Sequence, residues 1–147
     1  MNRSTRSFLI DVNVWIALAY DLHVHHSVVL EWAGTLDAGS VFYCRATQVS
    51  FLRLLTNERV MGKDVVGQCD AWDAFDRMAR DPRFRFLPEP SGVEKEFRRL
   101  TQSHLPLRNQ WPDAYVAAVA GSAGLTLATL DRGLRSVPGV RVLCLAG

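Results

Sequence analysis

The amino-acid sequence predicts an α/β protein, with a mainly parallel sheet of four to five strands covered by helices on both faces. Three observations carry this. Short apolar or alternating runs recur at residues 8–10, 41–43, 84–86, 125–130 and 140–145. Between them lie longer stretches whose apolar residues return every three or four positions, the spacing of a helix with one buried face. Turn signals such as Asp81-Pro82, PEPSG and Gly124 separate the two kinds of segment.

Phe8 to Ile10 reads as a short buried strand, and Val14, Ala17 and Leu18 then continue at helical spacing, so Asp11 falls where the strand ends. Arg3 and Arg6 ahead of an apolar run have the layout of a secretory signal, but Asp11 and Asn13 interrupt the run where a signal wants neither. The run is also too short, and too charged, to span a membrane. After HVHH, Ser27 to Leu36 is predicted helical, Val41 to Tyr43 a second strand and ATQVSFLRLLT a helix. From Asp64 to Arg80, Val65, Cys69, Trp72, Phe75 and Met78 mark one buried helical face. Asp73 with Arg77 and Asp76 with Arg80 are spaced for salt bridges on the opposite, solvated face.

Phe84 and Phe86 alternate as in a strand, and Val93, Phe97 and Leu100 return to helical spacing. The stretch WPDAYVAAVAGSAG is the clearest helix: proline at the first helical position, an acid in the first turn, and an alanine-rich interior ending on Gly124. Leu125 to Leu130 then forms a strand, Asp131-Arg132-Gly133 turns into a short helix, and Val140 to Leu145 is the last strand.

At 147 residues the chain fits one domain over residues 1–147. Its 48% hydrophobic and 22% charged content, without repeats, is that of a soluble globular protein. Cys44, Cys69 and Cys144 form no CxxC pair, which points to reduced core residues and a cytoplasmic location. A net charge of +2 does not announce a nucleic acid by bulk electrostatics. However, 15 of the 17 basic residues are arginine, whose planar fork suits phosphate.

Working sites of parallel sheets lie at the carboxyl ends of strands. Asp11 and Asp131 directly follow strands, and Asp113 opens a helix that can start from the same edge. Each acid singly is a good helix cap. Together they make the oxygen-rich cluster that a hard cation such as Mg2+ requires, and without a cation such a cluster repels itself.

The stretches LIDVNVWIALAYDLHVHH, ATQVSFLRLLTNERV, DPRFRFLPEP, WPDAYVAAVAGSAGLTLATLDRGL and GVRVL, in this order, resemble the PIN-domain ribonucleases, and specifically the toxins of VapBC toxin–antitoxin pairs. The resemblance implies a PIN-like three-layer α/β/α sandwich and a divalent-metal-dependent endoribonuclease that cleaves structured RNA, such as transfer or ribosomal RNA. It also implies neutralisation by a small cognate antitoxin. Asp11, Asp113 and Asp131 match the family's metal-binding acids, for Mg2+ or Mn2+, with Asn13 and Thr129 as supporting neighbours. One departure stands out: the family's glutamate after the second strand is missing, and no acid follows in that stretch until Glu58.

Arg53, Arg59, Arg108, Arg132 and Arg135 are candidates for RNA-backbone contact, with solvation as the alternative for each. His23, His25 and His26 have no local cysteine or further histidine to complete a transition-metal site, and a polar loop is expected there. Trp15, Trp32, Trp72 and Trp111 divide between the core and a homodimer or antitoxin-binding face.

DVNV also resembles the nucleophile loop of haloacid-dehalogenase-type phosphatases, but Asn13 replaces the second acid and cannot transfer its proton. A response-regulator receiver needs adjacent acids and a late lysine, both missing here. The remaining alternative is a PIN fold that has lost catalysis with its glutamate and serves as an RNA- or antitoxin-binding module.

Overall fold

β1 (Phe8–Ile10) runs through the middle of a five-stranded sheet, flanked by β2 (Val41–Tyr43) and β3 (Phe84–Phe86) on one side and by β4 (Thr126–Thr129) and β5 (Val142–Cys144) on the other. Every neighbouring pair is parallel. This computed structural model describes residues 6–103, 106, 107 and 109–147.

Strand alternation divides the core between two faces. Phe8, Ile10 and Ala128 face one cluster, which is centred on the fully buried Trp15 of α1 (Val12–Ala19). Phe51 of α3 (Arg45–Leu55) stacks on the Trp15 ring at 4.6 Å between centroids, with Phe75 of α5 (Gln68–Ala79) at 5.7 Å. α2 (His26–Ala33) adds Val29, and the single turn of α4 (Glu58–Met61) adds Met61. Leu9 and Leu127 face the opposite cluster with α6 (Val93–Gln102) and α7 (Gln110–Ala123). The run Ala117 to Ala120 of α7 is wholly buried, and its small side chains bring that helix close to both the sheet and α6. The predicted three-layer arrangement is thus observed.

Local details differ from expectation. The buried face of α5 is Ala71 and Phe75, whereas Trp72 is 48% exposed and Cys69 and Val65 are exposed too. Cys69 is therefore not a core residue. Apolar spacing located the helix but not its rotation, because a small alanine set against the sheet carries a weaker signal than a tryptophan turned to solvent. The ion pairs among the described residues are Arg83–Asp81, Arg98–Glu94 and Arg99–Glu96, not the pairs expected on α5. Pro112 is the third helical residue of α7 rather than the first, a place where its missing N–H still costs no helical bond. Gly124, at φ 69°, ends α7 as expected. No helix among the described residues is long and apolar enough to cross a membrane.

Candidate active site

The parallel sheet delivers its strand ends to one edge. The N–H of Asp11 bonds the carbonyl of Ala128 at 2.9 Å, so the β1–β4 ladder runs on to Asp11 and places it beside Thr129. Asp11 then caps α1, accepting the Val12 N–H at 2.8 Å with Oδ1, while Oδ2 accepts the Thr129 hydroxyl at 2.8 Å. Thr129, fully buried, is the hub. Its oxygen accepts from Asn13 Nδ2 at 3.4 Å and from the Asp131 N–H at 3.0 Å, which leaves its own proton for Asp11. Asn13 Oδ1 accepts the Leu130 N–H at 3.1 Å and so fastens the β4 exit to α1.

Asp131 caps the 3₁₀ turn 132–136 through the Gly133 N–H at 2.8 Å using Oδ1. Asp113, in the first turn of α7, accepts the Asn109 N–H at 3.2 Å with Oδ2. Asp11 and Asp131 are thus caps, Asp113 holds the N–H of the α7 N-cap residue, and all three share one cleft of about 520 Å³, lined as well by Asn13, His25, Asn109 and Arg132. Burial pushes the Asp11 carboxyl up to about 6, against the hydrogen bond from Thr129; the charges of Asp113 and Asp131 push it further up.

Asp11, Asp113, Asp131 and Asn13 therefore come together, with Thr129 directly behind them. Of the arginines, Arg132 lines the cleft, and its guanidinium donates to the carbonyls of Ala146 at 3.1 Å and Gly147 at 3.3 Å. Arg135 also donates to the Gly147 carbonyl. Arg53 and Arg59 are exposed on α3 and α4 and do not line the cleft; Arg108 lies outside the described residues. α3 brings no acid there: its buried polar residues are Thr47 and Gln48, and neither they nor the exposed Glu58 line the cleft. His25 and Asn109 are cleft residues that sequence reasoning missed. An asparagine capping position four residues before Asp113 was a usable signal for the second, while a loop histidine gives none.

The donor set suits a hard divalent cation: all carboxylate oxygens, one of them on a buried acid held above its ordinary pKa. Among the described residues no three acidic, histidine or cysteine side chains are gathered tightly enough to ligate one ion. A hard cation that keeps several waters needs only one or two carboxylates in direct contact.

The model of the PIN domain matches residues 8–140. The chain belongs to the PIN-domain family. Within that family it is 38% identical over 143 residues to Ribonuclease VapC41 of Mycobacterium tuberculosis, covering 94% of this chain and 98% of the relative. Among solved structures, Mycobacterium tuberculosis VapC20, a toxin that cleaves the sarcin–ricin loop, superposes with a TM-score of 0.67 at 17% identity, over 92% of this chain and 99% of that one. VapBC-1 from nontypeable Haemophilus influenzae gives 0.69 at 13% identity, over 95% and 98%. This PIN-domain chain thus shares its fold with those toxins, and by sequence it is a member of the VapC ribonuclease branch.

Proposed function

We propose that this chain is a divalent-metal-dependent endoribonuclease toxin, acting in the cytoplasm as one domain over residues 1–147. In this reading Asp11, Asp113 and Asp131 are the acids around Mg2+, or Mn2+, one or two of them bound to it directly and the rest through water, and Asn13 and Thr129 keep them in place. The observation that carries it is the buried Asp11 carboxyl, held at a pKa of about 6 beside two further carboxylates. A cation offsets that cost. When bound, a divalent cation supplies positive charge against the charge that builds on phosphoryl oxygens, and it acidifies water for attack.

The chain's own residues do the positioning. Thr129 fixes the rotamer of Asp11, Asn13 ties the β4 exit to α1, and the N–H groups of Gly133 and Asn109 hold Asp131 and Asp113. With no acid from α3, the cleft would hold a divalent cation through fewer carboxylates. Structured RNA, tRNA or rRNA, is the proposed substrate, supported by the activity of VapC20. A small antitoxin is the proposed partner of a homodimer, supported by the VapBC assembly of a structural neighbour.

The test is cleavage of total cellular RNA by protein freed of any antitoxin, in Mg2+, Mn2+ and EDTA, beside Asp11→Asn. Discrete fragments that require metal and vanish in the variant are expected. The missing fourth acid favours a second reading, an RNA- or antitoxin-binding module, and equal behaviour of wild type and variant selects it.

A further inference from the structure

The loop HVHH divides labour among its imidazoles. His23 Nδ1 accepts the His25 N–H at 3.0 Å and must be unprotonated there; burial, then the neighbouring His25 and His26, lowers its pKa. His26 Nδ1 lies 2.7 Å from the carbonyl of Ala17, and because a carbonyl only accepts, that nitrogen carries the proton. Both rings are consumed in fastening the loop, His23 within it and His26 against α1. His25 differs. It is the N-cap of α2, yet its side chain makes no capping bond, and no hydrogen bond among the described residues engages its ring nitrogens. Half-buried, His25 lines the cleft that holds Asp11, Asp113 and Asp131.

Other donors of the cleft are partly engaged or exposed. Asn13 Nδ2 meets Thr129 while its Oδ1 accepts from Leu130, the Arg132 guanidinium meets the carbonyls of Ala146 and Gly147, and Asn109 is exposed at the start of α7. A phosphodiester entering between three carboxylates needs a neighbour that donates, and His25, whose own backbone N–H is pinned by His23, is placed to do so. We propose that His25 is a substrate-contacting residue whose ring N–H donates a hydrogen bond to a phosphate oxygen of the RNA seated in the cleft. The assignment rests on the ribonuclease reading above. It requires a donor and no change of protonation.

Three substitutions separate the possibilities: His25→Ala removes the ring, His25→Phe keeps an aromatic ring without a donor, and His25→Gln keeps a donor without a ring. The readout is the initial rate of fragment formation from total cellular RNA in Mg2+ at varied RNA concentration, with the melting temperature of each variant as a fold control. Loss of one hydrogen bond to a charged phosphate predicts an apparent KM raised about tenfold to a hundredfold in Ala and Phe. kcat should be nearly unchanged, and Gln should recover most of the affinity. A Phe variant equal to wild type makes the contact a base stack and overturns the proposal. So does a Gln variant as poor as Ala with the loss in kcat, which would make His25 a proton donor, and so does an Ala variant equal to wild type. Metal-dependent cleavage by wild type but not by Asp11→Asn shows that the underlying ribonuclease reading stands in each of those cases; its absence in wild type overturns both.

Discussion

Of two cavities lined by several acids among the described residues, the larger is not the one the proposed function uses. The cavity of about 610 Å³ between the end of α1 and α5 is lined by Asp64, Asp70, Asp73 and Asp76. Arg77 and Arg80 line it too, the acids of α5 are exposed, and the Tyr20 hydroxyl meets Asp64. Water and neighbouring guanidinium groups screen those charges. The cleft of about 520 Å³ at the strand ends has fewer acids, but Asp11 is buried among hydrogen bonds that fix it, and its two acidic neighbours raise its pKa rather than lower it. The contrast teaches that a site is marked by charge the fold holds at a cost, not by the number of acids or the size of the hole.

Substitutions on both sides should separate the two cavities most widely. Asp11→Asn should lower the cleavage rate at least about a thousandfold, the scale of losing a group that acts on the transition state. Asp76→Asn, in the larger cavity, should stay within about twofold of wild type, since surface changes are nearly neutral. Equal losses in initial cleavage rates would remove the distinction.

The two cavities were not equally legible in the sequence. Asp11 and Asp131 could be placed at the sheet edge because each directly follows an apolar run, and Asp113 because WPDAYVAAVA is so plainly the start of a helix. The α5 acids were read as a solvated face, and they are exposed, although the ion pairs expected among them are not formed. Thr129 could be named only as a neighbour: that its hydroxyl is shared by Asn13, Asp131 and Asp11 depends on contacts 116 and 118 residues apart in the chain. Likewise the arginines gave no hint that Arg132 would meet backbone carbonyls, since carbonyls carry no sequence signal. His25 was read only as part of a polar loop, because a loop has no periodicity to show which way a side chain turns.

Acid titration sharpens the contrast next. Asp11 is raised from 3.8 to about 6 in the folded protein. The folded state therefore keeps a proton that the unfolded chain has released, and in EDTA stability should fall as pH rises from about 4 to about 6, by about 3 kcal/mol from this group. Asp81 and Glu96, whose pKa values are lowered by Arg83 and Arg99, act with the opposite sign. The informative quantity is thus the difference between wild type and Asp11→Asn in denaturant midpoints across that range. A difference that does not change with pH would mean that Asp11 is not held at a cost.

Metal comes third. Mg2+ at a hundred times its dissociation constant should stabilise the wild type by about 2.7 kcal/mol, seen as a rise in melting temperature. Asp76→Asn should show the same rise and Asp11→Asn little or none. A shift lost in Asp76→Asn instead would assign the cation to the larger cavity.

The smallest expected effect tests whether the cleft depends on its hub. Thr129→Val keeps the shape but removes the proton given to Asp11 and the oxygen that receives the Asp131 N–H and Asn13 Nδ2. Leaving buried donors unpaired should cost about 1–3 kcal/mol of stability. Activity should fall about tenfold to a hundredfold, as for other residues that orient a metal ligand. Thr129→Ser restores the hydroxyl and forgoes only a methyl, so it should recover most of the activity while remaining about 1 kcal/mol less stable. If Val is as active as wild type, the hydrogen-bond hub does not hold the acids in place, and the cost at Asp11 has a different structural source; if Ser is as inactive as Val, the hydroxyl needs the methyl packing beside it.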